Sequence, residues 1–244
     1  MKLSNNTIFI TGGGSGIGLA LAKTFLDFKN TVVICGRNLE KLEAVRNKYP
    51  EIHTICCDIT KEDDIQKALE QIKMEFRDLN VLVNNAGILL NYNFWEDDNA
   101  LRKMEDEIST NLVGLLKLTK LFLPILMNQP ESALINVSSG LGIFPKKSAP
   151  VYCATKAAVH IFSKSLRYQL EKTPVKVFEI IPPLVDTEMT KGRGGKKISP
   201  EALAKEVISS LERDNYEIRG GQVKMLLLIN RFLPSIIEKI YKKK

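Results

Sequence analysis

The 244-residue chain lacks long hydrophobic runs, and its longest unbroken apolar stretch is the five residues 225–229. A membrane-spanning helix needs about 20 consecutive apolar residues, so no transmembrane segment is expected. The amino terminus leads directly into a strand-like segment and lacks the apolar core of a signal peptide. We therefore expect a cytoplasmic protein.

Cysteine and histidine are also scarce, with four and two residues respectively. No Cys-x-x-Cys pair or metal-ligand spacing is present, so a disulfide framework and a zinc or iron site are not expected. Cys35, Cys56 and Cys57 fall inside apolar strand-like runs and are predicted to be buried. No acidic cluster lies near His53 or His160 in the sequence.

Basic residues outnumber acidic ones, 35 to 28, but the excess is confined to one end. Residues 1–190 hold 22 of each sign, whereas residues 191–244 hold 13 basic and 6 acidic residues. A basic segment suggests nucleic acid or an anionic membrane as a partner. No nucleic-acid motif or interleaved aromatic pattern accompanies these residues, so no nucleic-acid partner is expected.

Short β-branched apolar runs alternate with longer segments of helical period. With 44% hydrophobic residues, the chain can also bury a sizeable core. The strands are predicted at 7–11, 31–35, 52–57, 81–84, 133–138 and 175–181, and the helices at 16–28, 39–48, 61–77, 99–127 and 151–172. Continuous hydrophobic strands of this kind are typical of parallel sheets buried on both faces. The pattern predicts an α/β fold: a doubly wound, Rossmann-like parallel sheet in one three-layer α/β/α domain spanning residues 1–244.

The alternation changes after the sixth strand. Residues 183–199 form a loop rich in Pro, Gly and Lys, which either closes over a ligand as a lid or is a solvated flexible loop. Ser199 and Pro200 then open a helix that runs to about residue 213, and a short strand is predicted at 216–219.

An apolar-basic extension occupies residues 222–244. Its apolar stripe is interrupted by Pro234, which predicts two short helices, and it ends in Lys242, Lys243 and Lys244. Two interpretations are open: the extension packs on the body or an oligomer partner, or it makes peripheral contact with an anionic membrane surface.

A glycine-rich turn follows the first strand directly and opens the first helix. Residues 11–18 read Thr-Gly-Gly-Gly-Ser-Gly-Ile-Gly, which is Thr-Gly-x-x-x-Gly-x-Gly rather than the commoner Gly-x-Gly-x-x-Gly. Glycines let the backbone approach a pyrophosphate, which then lies at the positive end of the helix. In this position the turn predicts a dinucleotide site; a purely structural β-to-α turn is the alternative.

The end of the second strand indicates which dinucleotide would fit. No acidic residue is available there to bind a ribose 2′-hydroxyl, whereas Arg37 offers a forked cation suited to a 2′-phosphate. NADP(H) is therefore favoured over NAD(H), unless Arg37 is an ordinary solvated arginine. Asp58, after the third strand, either binds the adenine amino group or caps the next helix.

Ser139, Tyr152 and Lys156 form the candidate catalytic group. Tyr152 and Lys156 are four residues apart and share one helix face. A nearby ammonium lowers the pKa of a tyrosine, and Ser139, at the carboxyl end of the fifth strand, is placed to hydrogen-bond a substrate carbonyl.

Together these residues resemble the short-chain dehydrogenase/reductase family over roughly residues 5–220. Residues 84–87, Asn-Asn-Ala-Gly, match an element that borders the cofactor's adenosine side in that family, and Asn111 matches its catalytic asparagine. The family's 13-residue spacing from serine to tyrosine selects Ser139 over Ser138. By resemblance, Tyr152 is the general acid–base, and Lys156 binds the nicotinamide ribose and lowers the tyrosine pKa.

The resemblance also implies the full set of site residues. The catalytic residues would be Asn111, Ser139, Tyr152 and Lys156. The cofactor would be held by Gly12, Ser15, Gly16, Ile17, Gly18, Arg37, Asp58, Ile59, Asn85, Ala86, Gly87, Tyr152, Lys156, Pro182, Val185 and Thr187.

One position departs from the family pattern. Pro183 replaces the glycine that usually follows Pro182, which stiffens the loop, while Thr187 remains in register to meet the nicotinamide carboxamide. This Pro-Pro variant, with the sequence around Arg37 and Tyr152, looks like the DltE-like bacterial reductases.

These observations predict an oxidoreductase that transfers hydride between NADP(H) and a small carbonyl or secondary alcohol, as a homodimer or homotetramer built on the long helices. Leu141, Ile143, Phe144 and Leu184 either line the substrate side or belong to the core. One alternative function is an NADP(H)-sensing regulatory or scaffold protein without turnover. A serine hydrolase is disfavoured because no Gly-x-Ser-x-Gly elbow is present.

Overall fold

The computed structural model describes residues 1–242, apart from the side chain of Gln222. Seven parallel strands form one sheet in the order β3-β2-β1-β4-β5-β6-β7. The strands are β1 (Thr7–Thr11), β2 (Thr31–Gly36), β3 (Ile52–Cys56), β4 (Leu79–Asn84), β5 (Ser132–Val137), β6 (Val175–Ile181) and β7 (Glu217–Arg219). All six strands that were predicted from the apolar runs are present in the structure.

Helices cover both faces of the sheet. They are α1 (Gly16–Asp27), α2 (Leu39–Lys48), α3 (Glu62–Glu75), α4 (Ala100–Ile108), α5 (Gly114–Met127), α6 (Pro150–Gln169), α7 (Pro200–Glu212), α8 (Gln222–Phe232) and α9 (Pro234–Lys242). One core cluster joins the sheet to α1, α2 and α7, and the other joins it to α3, α5 and α6. The predicted doubly wound three-layer domain is confirmed.

The sheet reverses its direction of growth beside β1, which pairs with β2 on one side and with β4 on the other. In open α/β sheets, ligands bind outside the carboxyl ends of the strands at such a switch point. The glycine turn follows β1 and the Asn-Asn-Ala-Gly element follows β4, so the topology places both at this crevice.

The single helix predicted for residues 99–127 is interrupted. A π-helical turn, Ser109–Val113, separates α4 from α5, with the Gly114 N–H bonded to the Ser109 carbonyl five residues earlier. A π turn is defined by its backbone hydrogen bonds from i to i+5, which a hydrophobic pattern does not record. Asn111 lies within this turn.

The prediction that Cys56 is buried was wrong. Cys35 and Cys57 are buried, but Cys56 is exposed. It is the last residue of β3, the edge strand of the sheet, whose side chains are less covered than those of the central strands. The run of apolar residues did not reveal that the strand lies at the edge.

Among residues 1–242, one helical stretch, Ala100–Met127, is long and apolar enough to cross a membrane by length and composition alone. Core helices of globular proteins pass the same test. Leu118, Phe122 and Leu126 of this stretch are fully buried in the core, so packing against the sheet accounts for part of its apolar character.

Candidate functional site

The glycine turn lies against the segment that follows β4. Gly12 has a positive φ of 66°, and a Cβ there would come within 2.9 Å of the Ala86 Cα. At Gly18 a Cβ would lie 2.5 Å from the Asn85 side-chain nitrogen. Because no side chain fits in either place, both positions require glycine.

Hydrogen bonds fasten the two segments together. The Thr11 hydroxyl accepts from the backbone N–H groups of Asn85 and Ala86, each at 3.0 Å. The Asn85 side chain donates back to the Thr11 carbonyl at 2.9 Å and to the Gly12 carbonyl at 3.2 Å. The turn therefore keeps its shape without a ligand.

The first turn of α1 is left free for an anion. Its N-cap residue, Ser15, makes no side-chain capping hydrogen bond, and the turn contains no acidic residue. The first backbone N–H groups of a helix carry partial positive charge and bind phosphate readily. A cleft of about 520 Å³ extends from here to Tyr152 and Lys156, so the residues present fit a nicotinamide dinucleotide.

The far end of the cleft carries positive charge near an acidic group. Arg37 is exposed at the rim of the cleft. Lys41, which also lines the cleft, forms a 2.5 Å ion pair with Glu188 from the segment after β6. The sequence did not indicate Lys41 as a residue of the site, because its ion-pair partner Glu188 is 147 residues away.

Asp58 holds a local turn rather than a helix end. Its Oδ1 accepts from the Thr60 backbone N–H at 3.0 Å and from the Thr60 hydroxyl at 2.8 Å. The N-cap of α3 is Lys61, so the capping alternative was wrong. Burial acts to raise the pKa of Asp58, but the Thr60 hydrogen bonds and the Arg37 charge outweigh it and lower that pKa.

Tyr152 lies on the first turn of α6 and is 7% exposed. Burial raises its pKa to about 12, although a hydrogen bond with Ser139 and the charge of Arg193 act in the opposite direction. The net shift is upward because desolvation of the phenolate dominates; that Lys156 lowers this pKa stays a prediction. At neutral pH the side chain is a neutral phenol that can donate a proton.

Lys156 is also buried, at 4% exposure. Its ammonium donates to the Val137 carbonyl at 2.8 Å and lies 5.8 Å from the centre of the Tyr152 ring. Burial lowers its pKa to about 8. The amine therefore points into the cleft from the same helix face as Tyr152, held by one backbone carbonyl.

Asn111 connects the π turn to the floor of the cleft. Its amide makes a reciprocal pair of 2.8 Å hydrogen bonds with the backbone of Ile88. A Cβ on Gly87 would lie 3.1 Å from the Asn111 Oδ1 and 3.5 Å from the Lys156 Nζ. Gly87 thus leaves an open path between the asparagine and the lysine.

Most residues implied for the cofactor line the cleft. Fourteen do so: Gly12, Ser15, Gly16, Ile17, Arg37, Asp58, Ile59, Asn85, Ala86, Gly87, Tyr152, Lys156, Pro182 and Thr187. Gly18 and Val185 do not. Gly18 is a packing glycine of the turn, and Val185 is buried in the core and bridges to Ile198.

Four residues were expected either to line the substrate side or to belong to the core. Leu141, Ile143 and Leu184 are half-buried, and Phe144 is 2% exposed and stacks on Tyr241. Phe144 is therefore a core residue that anchors α9.

Pro183 has a packing partner. A Cβ on Gly220 would come within 2.9 Å of the Pro183 Cδ and 3.0 Å of the Leu203 Cδ1. Gly220 lies just before α8, so Pro183 joins the loop after β6 to the start of the C-terminal extension.

A buried network of hydrogen-bonded polar side chains lies beside the site and was not predicted. Glu179 on β6 is 1% exposed, accepts a short hydrogen bond from the Ser138 hydroxyl, and pairs with the His160 Nδ1 at 2.8 Å. The Glu179 hydrogen bond, opposed by burial, raises the pKa of His160. His160 lies two helical turns after Tyr152, on the same face of α6.

Comparison with known proteins identifies the family. The family model described as short chain dehydrogenase matches residues 6–197. The chain belongs to the short-chain dehydrogenase family. The oxidoreductase class predicted from the sequence is thereby confirmed.

Curated relatives cover nearly the whole chain. A Bacillus subtilis (strain 168) protein named uncharacterized oxidoreductase DltE is 42% identical over 93% of this chain and 92% of its own length. Uncharacterized oxidoreductase SAR2567 of Staphylococcus aureus (strain MRSA252) is 32% identical over 88% of this chain and 94% of its own. The predicted resemblance to DltE-like reductases is confirmed.

Solved structures share the fold. A short-chain dehydrogenase from Burkholderia cenocepacia in complex with NADP gives a TM-score of 0.86 at 24% identity, covering 99% of each chain. A 3-ketoacyl-(acyl-carrier-protein) reductase from Brucella melitensis complexed with NADH gives 0.83 at 24% identity, over 91% of this chain and 100% of that one.

Proposed function

We propose that the protein is a cytoplasmic, NADP(H)-dependent reductase of small carbonyl compounds, acting in reverse on secondary alcohols. The buried Tyr152 and Lys156 line the end of a dinucleotide-sized cleft, and Ser139 is hydrogen-bonded to Tyr152; this arrangement carries the proposal. The Burkholderia relative that binds NADP and the Brucella relative that binds NADH support a nicotinamide cofactor. The choice of NADP(H) rests on Arg37 and Lys41 at the cleft rim.

The cofactor would be held along the switch-point crevice. The first turn of α1 would receive the pyrophosphate, Arg37 and Lys41 the 2′-phosphate, and Lys156 the nicotinamide ribose. When bound, the nicotinamide supplies or accepts the hydride. A cationic ring beside Tyr152 would also counter the burial that raises the tyrosine pKa in the free protein.

Tyr152 and Ser139 would handle the substrate oxygen. In reduction, the neutral phenol gives its proton to that oxygen as the carbonyl carbon receives the hydride, and Ser139 orients the carbonyl. The resulting phenolate is stabilised by the Ser139 hydroxyl and by the Lys156 ammonium. Asn111 would guide the proton that restores the phenol, through the gap left by Gly87.

The loop after β6 would close over this site. Arg193, within residues 183–199, already acts electrostatically on Tyr152, and Thr187 lies against Gly16 across the cleft. We also propose a homodimer or homotetramer built on the π turn, α5 and α6, because Val113 of the π turn and Ile161 and Tyr168 of α6 expose 40%, 61% and 65% of their surfaces. Light scattering tests that assembly.

A screen of carbonyls and alcohols with NADPH, NADH and their oxidised forms tests the function. We expect turnover of some aldehydes or ketones with NADPH and weaker turnover with NADH. Tight NADPH binding without turnover across the panel would instead favour a cofactor sensor. Cleavage of nitrophenyl esters that is lost on Ser139→Ala would favour a hydrolase.

A further inference from the structure

The last two helices carry both buried and exposed hydrophobic side chains, and the buried ones anchor the pair to the body. Val223 on α8 and Ile237 on α9 are 1% and 4% exposed. Tyr241 stacks on Phe144 with ring centres 5.8 Å apart. A Cβ on Gly140 would lie 3.3 Å from Val223. The helix pair is therefore seated beside the segment that follows Ser139.

Six other large hydrophobic side chains each expose between 40% and 70% of their surface. We call them the tail stripe: Met225, Leu228, Phe232, Leu233, Ile236 and Ile240. The three on α8 repeat at i, i+3 and i+7, which places them along one line. Leu233 lies between the two helices, and Ile236 and Ile240 are four residues apart on one face of α9. Contiguous exposed apolar patches mark surfaces that contact a membrane or another protein.

Basic residues border the tail stripe. Lys224 is four residues before Leu228, Arg231 is three after it, and Lys239 is three after Ile236, and all three basic side chains are exposed. The acidic residue in this region, Glu238, is neutralised by Lys242 at 2.7 Å. Lys243 and Lys244, the end of the predicted basic extension, lie outside the described residues.

We propose that the tail stripe docks on an anionic lipid surface. Exposed apolar side chains flanked by Lys and Arg suit the boundary between acyl chains and anionic head groups. A second copy of the chain fits less well, because residues 222–244 hold six basic residues and one acidic residue. Apposing two such segments would bring like charges together. The inference does not depend on the proposed reaction.

Docking would place a lipid surface against the helix pair that packs on the segment after Ser139. The helix pair touches Gly140 and Phe144 of that segment. Lys147 also contacts this pair, its backbone N–H donating to the Tyr241 carbonyl at 3.5 Å.

Vesicle flotation of the full chain tests the docking. One set of vesicles contains phosphatidylcholine alone, and the other contains phosphatidylcholine with phosphatidylglycerol. We expect binding to the anionic vesicles at low salt, at least tenfold weaker binding to the neutral ones, and loss of binding at high salt because charges are screened.

Two sets of variants separate the apolar and the charged contributions. The combined change Leu228→Ser, Phe232→Ser and Ile236→Ser removes apolar contact and should abolish binding. Lys224→Gln, Arg231→Gln and Lys239→Gln together should weaken it about 100-fold, since each basic residue contributes roughly a factor of five near an anionic surface.

Matched controls alter equally exposed residues elsewhere. Met74→Ser, Trp95→Ser and Leu101→Ser remove three side chains exposed by 67%, 91% and 71%. Lys73→Gln, Lys120→Gln and Lys205→Gln remove three exposed lysines. Both control proteins should bind like the wild type, and circular dichroism checks that every variant is folded.

Three outcomes would overturn the proposal. One is no binding to either vesicle. Another is equal, salt-insensitive binding to both. The third is oligomerisation that the Leu228, Phe232 and Ile236 variant abolishes while vesicle binding is absent, which would assign the tail stripe to a second copy.

Discussion

The first 190 residues and the last 54 differ in charge, and residues 222–244, the tail, differ from the rest of the chain in how they place large hydrophobic side chains. The first part is electrically neutral, with 22 residues of each sign, whereas the second has 13 basic and 6 acidic residues. In the first part most large apolar side chains are buried in the sheet, and Arg37 and Lys156 occupy two specific places in one cleft. The tail instead exposes six apolar side chains beside its basic residues.

The difference shows that the net charge of the chain is a poor guide to its chemistry. Cofactor recognition would need only a few cations at the cleft, all within the neutral part. The basic excess lies in the loop after β6 and in the tail, which meet at Pro183 and Gly220. Substitutions at the cleft, within residues 1–190, should therefore alter catalysis. Substitutions in the tail should alter binding to an anionic lipid surface.

The largest expected effect belongs to Tyr152→Phe. Without the phenol proton, kcat/KM for carbonyl reduction should fall by about 10²–10⁴-fold, while NADPH binding measured by fluorescence is retained. Tyr168→Phe, at an exposed tyrosine of the same helix, should leave activity unchanged. Equal loss in both variants would remove Tyr152 from its proposed role.

A second effect concerns stability and pH. Burial lowers the pKa of Lys156 from 10.5 to about 8, so between these values the unfolded chain binds more protons and the free energy of unfolding rises with pH. This contribution should amount to about 3 kcal/mol at most. In denaturant titrations of the cofactor-free protein from pH 7 to 10.5, Lys156→Met should reduce this rise. Identical profiles for both proteins would contradict a buried, charged lysine.

Arg37→Ala should affect the choice of cofactor. Loss of a charged hydrogen bond to a phosphate costs about 1.5–3 kcal/mol, so the Kd for NADPH should rise by roughly 10- to 100-fold while that for NADH changes little. Arg46→Ala, at an exposed arginine of α2, is the control. An equal rise in the Kd for NADPH and for NADH would mean that Arg37 does not distinguish the two cofactors.

Gly220→Ala tests the contact between Gly220 and Pro183, where the start of the tail meets the loop after β6. The new Cβ would lie 2.9 Å from Pro183 and 3.0 Å from Leu203, and such overpacking costs about 1–3 kcal/mol. Gly194→Ala introduces a Cβ with nothing within 4 Å and should cost less than about 0.5 kcal/mol. Thermal unfolding measures the loss of stability in both variants. Equal melting temperatures would show that the contact between Gly220 and Pro183 tolerates an added side chain.

Sequence patterns predicted the fold well because its signals are local. The strands of a doubly covered parallel sheet are continuous apolar runs, and Pro234 separates α8 from α9 as expected. The glycine turn and the Tyr152–Lys156 spacing were also readable, since each occupies a few consecutive residues. Their functional roles remain predictions.

What could not be predicted depends on contacts between distant residues. The Glu179 carboxylate meets Ser138 and His160, which are 41 and 19 residues away. The direction of the Tyr152 pKa shift depends on burial, which the Tyr-x-x-x-Lys spacing does not reveal. The apolar pattern of residues 222–244 was visible in the sequence, but which of its side chains are exposed emerged only from which side chains α8 and α9 bury.

Hydride transfer is measured most directly with NADPH carrying deuterium at the transferable position of the nicotinamide. Mass spectrometry of the alcohol formed from an accepted carbonyl substrate should find the deuterium on the former carbonyl carbon. The label should appear with the wild-type protein and the Tyr168→Phe control, and be nearly absent with Tyr152→Phe. Alcohol formed without the label, or no alcohol from any carbonyl despite tight NADPH binding, would contradict the proposed reaction.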